Sequence, residues 1–344
     1  WDLRFIYSYI KYSTEESDIG EERMQEIQNF MDEKNLELKA TPMEIHEVLS
    51  DWKDYEVDRS DFKLSSISLG HGISCKVFKA TRISTKKQVA IKALNSEYIE
   101  EKDQFKLLRR EIGILIQLDN EFLIDFVGFN DDPGLPLWIV TEYVKGGNLS
   151  TAIKKKKLSP FLKTKIAFEI AQGMEYLRSK GIIHRDLKTA NIMLDGDPKN
   201  LKPKIGDFGY SRTETSLRMS SMRGTANYMA PEVINGECYD FKADVFSYGM
   251  ILWELYADEH PFANCTQEEI FDLISSNTKL EFRKLISQDL KDLIESATNF
   301  DPSQRPSFTE IIDLMIDKYI SFKGNNPAQI EQFYKQKAKE RKPH

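Results

Sequence analysis

Cysteine and histidine are scarce in this 344-residue chain, and each shortage closes a line of interpretation. Its three cysteines, Cys75, Cys238 and Cys265, are widely spaced and odd in number, so neither a disulfide framework nor a zinc cluster is expected. A reducing, cytoplasmic setting is the expectation that follows. Positive charge is not in surplus either: the formal net charge of -7 speaks against a nucleic-acid partner. No apolar run approaches the roughly 18 residues of a membrane span, and no leader peptide is expected from the opening residues. The first residue, Trp1, is not a methionine, so nothing is inferred about a full-length architecture. What remains, with 40% hydrophobic and 30% charged residues, is an ordinary globular composition long enough for two domains or one two-lobed unit.

The chemistry that is present centres on His184-Arg185-Asp186-Leu187-Lys188-Thr189-Ala190-Asn191, followed by Asp207-Phe208-Gly209. Here Asp186 is followed by Lys188 and Asn191, and Asp207 ends a short apolar run further on. Phosphoryl transfer needs this set: a group that orients an attacking hydroxyl, a cation near the moving phosphate, and oxygen ligands for a divalent ion. Two like charges about 4 Å apart cost roughly 4 kcal/mol at an effective dielectric of about 20. Asp186 and Asp207 would therefore expel a triphosphate unless magnesium, or manganese, stood between them. His184, next to Ile182 and Ile183, reads as a packed, hydrogen-bonded core histidine rather than a base, and a metal-hydrolase reading fails for want of further histidines nearby. Upstream, Leu69-Gly70-His71-Gly72-Ile73-Ser74-Cys75-Lys76-Val77 has the form of a glycine-rich turn between strands, where Gly70 and Gly72 let backbone N–H groups approach phosphates.

Taken together these motifs resemble the eukaryotic-type protein kinases, from about Phe62 to about Ile320, and most of all their tyrosine-kinase-like serine/threonine branch. The resemblance implies an α+β, two-lobed fold with a small, mostly antiparallel β lobe carrying one main helix (61–144) and a larger, mostly helical lobe (145–320). It implies ATP and Mg2+ as cofactors. Lys92, closing Val89-Ala90-Ile91-Lys92, would hold the α- and β-phosphates with Glu111 as its ion-pair partner. Leu69, Val77, Ala90 and Met193 would enclose the adenine, Thr141 would limit the pocket's depth, and the backbone of Glu142 and Val144 would bond the base. Asn148 would reach the ribose. Asp186 would orient the acceptor hydroxyl, Lys188 would neutralise the γ-phosphate, and Asn191 and Asp207 would hold the metal. Leu115, Phe126, His184 and Phe208 would stack in an apolar column. The family's third loop glycine is replaced by Cys75, and Ser74 stands where an aromatic is frequent.

Tyr210 to Met222 is hydroxyl-rich and aperiodic, so a mobile loop is expected, with Thr213, Thr215, Ser216, Ser220 and Ser221 as candidate phosphosites among Arg212, Arg218 and Arg223. A phosphate there would find a cation in Arg185. Thr225 with Lys188 resembles the pairing of serine/threonine kinases, which leaves dual specificity open. The apolar run around Asp244-Val245-Phe246 marks a central buried helix, whose Asp244 would bond backbone amides of the catalytic loop, and Arg305 should pair with Glu232. Residues 1–60 are expected to be a helical flank: Met24, Ile27, Phe30 and Met31 on one face, then Thr41 as cap with Ile45, Val48, Leu49 and Trp52 on another. The final residues, 321–344, read as a solvated basic tail. Protein substrates and an upstream kinase, or the chain itself in trans, are the implied partners, with oligomeric state left open. A catalytically silent scaffold of the same fold is the alternative, and a small-molecule kinase is disfavoured by Ala230-Pro231-Glu232 and Arg305.

Overall fold

The computed structural model describes residues 50–71, 75–94, 102–132, 135–209, 211–213 and 225–341. The helices expected before Ser50, the Gly72 position, and Thr215, Ser216, Ser220 and Ser221 lie outside those residues.

Five strands, β1 (Phe62–His71), β2 (Cys75–Arg82), β3 (Gln88–Leu94), β4 (Phe126–Asn130) and β5 (Leu137–Glu142), form an antiparallel sheet in the order β1-β2-β3-β5-β4. Alternation along β3 decides what each face does. Val89 and Ile91 point into a small core with Phe62, Ala80, Trp138 and Val140. Ala90 and Lys92 point the other way, and the register sets Val77 opposite Lys92 and Thr141 opposite Ala90, so this face becomes one wall of a cleft.

Helix α1 (Lys102–Gln117) packs beside the sheet and carries Glu111. Gly113 inside it would cost about 1 kcal/mol relative to alanine on helix propensity alone. Its neighbour explains it: a Cβ at this position would meet Cη2 of Trp52 at 3.1 Å. Trp52 lies in a short 3-10 turn, Ser50–Tyr55, whose backbone leaves helical geometry at Trp52 itself, so the regular helical face expected through this residue does not extend to it. The strand-like stretch that follows is tied to β4, where Val57 N–H donates to the Phe129 carbonyl and the Tyr55 ring lies 6.0 Å from Phe126.

The larger lobe contains α2 (Leu149–Lys154), α3 (Pro160–Ser179), α4 (Pro231–Ile234), α5 (Phe241–Ala257), α6 (Gln267–Ser275), α7 (Gln288–Ala297), α8 (Phe308–Asp317) and α9 (Pro327–Glu340). The short strand β6 (Ile182–Ile183) pairs with β9 (Arg212–Thr213), and β7 (Ile192–Asp195) pairs with β8 (Lys202–Ile205). Ser159 caps α3, Pro160 takes its first turn, and Gly181 follows its end at φ +68°. In α5 every residue but Phe241 and Lys242 is buried, which accounts for its apolar sequence on all sides.

Two buried charges organise this lobe. The Asp244 carboxylate accepts the backbone N–H of His184 at 2.7 Å and of Arg185 at 2.9 Å. It thereby holds the turn in which Arg185 adopts the left-handed conformation, φ +70°. Arg305 meets Glu232 through two parallel bonds of 2.6 and 2.7 Å and spends its remaining donors on the carbonyls of Lys242, Asn299 and Phe300.

Residues 321–341 do not form the solvated tail expected of them. Asn326 caps α9, whose Ile330 and Tyr334 are buried, while Phe333 stacks edge-on against Phe161 and Phe168 of α3. Apolar residues at i, i+3 and i+4 are enough to dock a helix that otherwise presents lysines to solvent.

Candidate active site

The lobes enclose a cleft of about 530 Å³, walled by Leu69, Gly70, Val77, Ala90, Thr141 and Val144 above and by Asn191, Met193 and Asp207 below. Lys92 reaches into it from β3 and bonds both Glu111 oxygens, at 2.8 and 2.9 Å. Desolvation by the cleft walls pulls the Lys92 ammonium down, but the Glu111 and Asp207 carboxylates outweigh it, and the group sits above the ordinary lysine range. It is therefore a permanent cation facing the cavity. The apolar column also assembles: Leu115 and Phe208 are buried in one core, Phe126 packs against it, and the His184 ring lies 5.3 Å from Phe208.

Around the loop after β6, one carboxylate gathers four contacts. Asp186 accepts Lys188 Nζ at 2.6 Å, the Thr225 backbone N–H at 3.1 Å, the Thr225 hydroxyl at 3.2 Å and Asn191 Nδ2 at 3.1 Å. Lys188 Nζ donates onward to the Thr225 hydroxyl at 2.8 Å. His184 is fully buried, accepting the Asp186 N–H at Nδ1 while Nε2 donates to the Gly206 carbonyl; it is the core histidine that its apolar neighbours suggested.

Whether a divalent ion suits this place can be judged from the donors. The Asn191 amide nitrogen is fixed by two acceptors, the Asp186 carbonyl at 2.9 Å and the Asp186 carboxylate at 3.1 Å. Its oxygen is consequently turned the other way, on a residue that lines the cleft. Asp207, at φ +63°, keeps its carboxylate half-exposed at the cleft, 3.9 Å from Lys92. One amide oxygen and one carboxylate are the sparse, hard donor set that magnesium accepts when substrate phosphates complete its shell. The residues fit.

Other expectations are corrected. Asn148 does not line the cleft: its Oδ1 accepts the Thr151 N–H at 2.9 Å and caps α2. Asparagine is among the preferred residues for that task. The stretch expected to be wholly mobile contains β9, in which Thr213 pairs with Ile182 through the backbone. Ala190, Ile124, Leu94 and Leu108 also line the cleft.

A buried polar network beside the loop was not foreseen. Glu254 of α5 accepts the hydroxyls of Tyr228 and Thr189, and His260 Nδ1 lies 3.0 Å from it. Burial pushes the Glu254 carboxyl up to about 7, against the opposing hydrogen bonds of Tyr228 and Thr189. Burial and then Lys154 hold His260 down, so the contact joins a neutral imidazole to a carboxyl group. The folded chain thus keeps a proton that the unfolded chain releases near the ordinary glutamate value of 4.5. Its stabilising contribution is complete below that pH and is lost as pH rises through 7. Glu254→Gln is expected to remove about 3 kcal/mol of pH-dependent stability across this window. Urea midpoints measured from pH 4.5 to 7 check it, and an unchanged slope would assign the titration to another group. The four residues come from separate segments with no shared period, so no local pattern announces them.

A sheet lobe with one main helix, set over a helical lobe with the cleft between them, defines the two-lobed kinase architecture. The family described as protein kinase domain matches residues 65–315. Serine/threonine-protein kinase STY46 of Arabidopsis thaliana is 35% identical over 261 residues, covering 74% of this chain and 44% of the relative. Serine/threonine-protein kinase VIK of the same plant is 34% identical over 270 residues, covering 75% and 61%. A probable serine/threonine-protein kinase of Dictyostelium discoideum is 34% identical over 270 residues, covering 76% and 63%. The chain spans 63%, 44% and 61% of the length of the Dictyostelium protein, STY46 and VIK. It belongs to the eukaryotic-type protein kinase family, with its likeness to the tyrosine-kinase-like branch carried by these plant relatives. Among the described residues no helix is long and apolar enough to cross a membrane.

Proposed function

We propose that the chain is an ATP-dependent protein kinase that transfers the γ-phosphoryl group of Mg-ATP to serine and threonine hydroxyls of protein substrates. The observation that carries this reading is the Asp186–Lys188–Thr225 cluster, joined through Asn191 to a cleft that also holds the Lys92–Glu111 pair. The names of the relatives point the same way.

In this reading Val77, Ala90 and Met193 enclose the adenine, and the backbone of Glu142 and Val144 bonds it. Lys92, fixed by Glu111, positions the α- and β-phosphates. Asn191 and Asp207 hold Mg2+, or Mn2+, which supplies charge neutralisation at the phosphate tail when bound. Asp186 orients the incoming hydroxyl and takes its proton, while Lys188 faces the transferred group. Thr225 ties both side chains to the segment on which a substrate would lie. The acceptor is a side chain of another protein in a reducing cytoplasm.

Phosphorylation of the segment between Asp207 and Thr225, by an upstream kinase or in trans, orders the active state. Replacing Thr213, Thr215, Ser216, Ser220 and Ser221 together by alanine is expected to lower kcat at least about tenfold without loss of ATP binding. Full activity in that variant would remove this regulation from the account. Phosphosite mapping after incubation with Mg-ATP tests the main reading, since it reports turnover, hydroxyl type and position at once. Absence of any incorporated phosphate, with the segment left unmodified, would favour a silent scaffold instead.

A further inference from the structure

The chain carries a formal charge of -7, yet Lys154, Lys155, Lys156 and Lys157 follow one another at the end of α2, all exposed. Several other lysines of this lobe have carboxylate partners: Lys163 and Lys284 share Asp258, Lys165 meets Glu169, and Lys204 meets Glu142. None of the four in the run has a carboxylate within ion-pair distance among the described residues. Their mutual repulsion is relieved by no ion pair among the described residues.

Local backbone chemistry makes the run more telling. Lys157 N–H bonds the Ala152 carbonyl and Lys156 N–H bonds the Ile153 carbonyl, the paired closure that ends many helices. The residue at its left-handed corner is Lys156, φ +50°, a place where glycine is favoured and a lysine is held at conformational cost. A cation kept where local structure disfavours it, among three others, points to a demand outside the fold.

Its position says what that demand concerns. Ser150 of the same helix lies 3.3 Å from His260 Nε2, and His260 joins the Glu254–Tyr228–Thr189 network, with Thr189 next to Lys188. Lys154 acts electrostatically on both Glu254 and His260, so the start of the run lies near this network. Of the nearby carboxylates, Asp258 is taken by two lysines, Glu254 is buried, and exposed Glu259 beside His260 makes no ion pair with the run among the described residues.

We infer that Lys154–Lys157 form a docking surface for aspartate- and glutamate-rich segments flanking the phosphoacceptor in protein substrates. This rests on the kinase reading above and adds the substrate class. The test uses the whole chain and three peptides that share one serine acceptor, flanked by a block of Glu, Gln or Lys. For the parent, KM for the Glu peptide is expected to be about tenfold below that for the Gln peptide with similar kcat, as several exposed ion pairs acting together would give. The gap should narrow in about 0.5 M salt, where screening reaches within a few ångströms. K154Q/K155Q/K156Q/K157Q should bring the two KM values within about twofold and leave turnover of the Gln peptide as in the parent. Lys156→Gly relaxes the turn while deleting one charge, so it should raise Tm and weaken the preference in part, which guards against misfolding of the quadruple variant. Equal KM for the Glu and Gln peptides in the parent, or a preference surviving in the quadruple variant, would overturn the inference while leaving kinase activity intact. Turnover of no peptide would remove the reading beneath it as well. Binding of a single-stranded oligonucleotide or of anionic vesicles as tightly as a labelled Glu peptide, judged by anisotropy, would reassign the patch to a general polyanion surface and overturn the peptide assignment.

Discussion

Asp186→Asn is expected to lower kcat about a thousandfold while the protein stays folded and still binds nucleotide. The carboxylate is buried and accepts from Lys188, Thr225 and Asn191, so its negative charge is concentrated at one point facing the acceptor position. Asparagine keeps the volume and one acceptor oxygen but has no basic site for a hydroxyl proton. It also leaves Lys188 without its 2.6 Å counter-charge, free to swing toward phosphate and bind the ground state more tightly. Lys92, Glu111 and the adenine walls lie on other elements and are untouched. Steady-state rates with a serine peptide, ATP titration and thermal melting separate these effects. A variant that keeps more than about a tenth of parental kcat would show that Asp186 only shapes the loop.

Arg305→Ala should act on folding instead of chemistry. The guanidinium is fully buried against Glu232 and three carbonyls, so deleting it strands a buried carboxylate and several acceptors. Breaking one side of such a pair costs roughly 3–5 kcal/mol. For a domain of this size that corresponds to a fall in Tm of about 10 °C. Turnover per folded molecule at low temperature should change little, since the pair lies outside the cleft. Replacing both partners with methionine is expected to recover part of the loss, because no charge is then left buried alone. If the double replacement were no better than Arg305→Ala, packing around Phe246, over which the guanidinium lies at 5.2 Å, would be the larger contribution.

What could be read in advance followed a rule. Residues whose role is chemical and whose spacing is short, such as Asp186 with Lys188 and Asn191, announce themselves because the reaction demands those types together. Errors arose where a residue had two plausible employers. Asn148 suits a ribose or a helix cap, and only the position of the Thr151 N–H decides between them. In α9 lysine, glutamate and glutamine together outnumber the apolar residues, so composition hid a docking face that Ile330, Phe333 and Tyr334 supply. Glu254 could not be paired with Tyr228 and His260 on paper, because each contact spans a connection whose path is set by the rest of the fold.

Trp52 seated against Gly113 carries a practical consequence for where this catalytic unit ends. A version trimmed to begin at β1 would expose a bare notch in the middle of α1, two residues from the Glu111 that steadies Lys92, and would strip Val57 from its place along β4. Such a shortened enzyme should bind ATP with a looser grip and lose its shape sooner on warming. The borders that matter to the molecule are drawn by an indole ring at one end and by Tyr334 at the other, both outside the span that family likeness marks out.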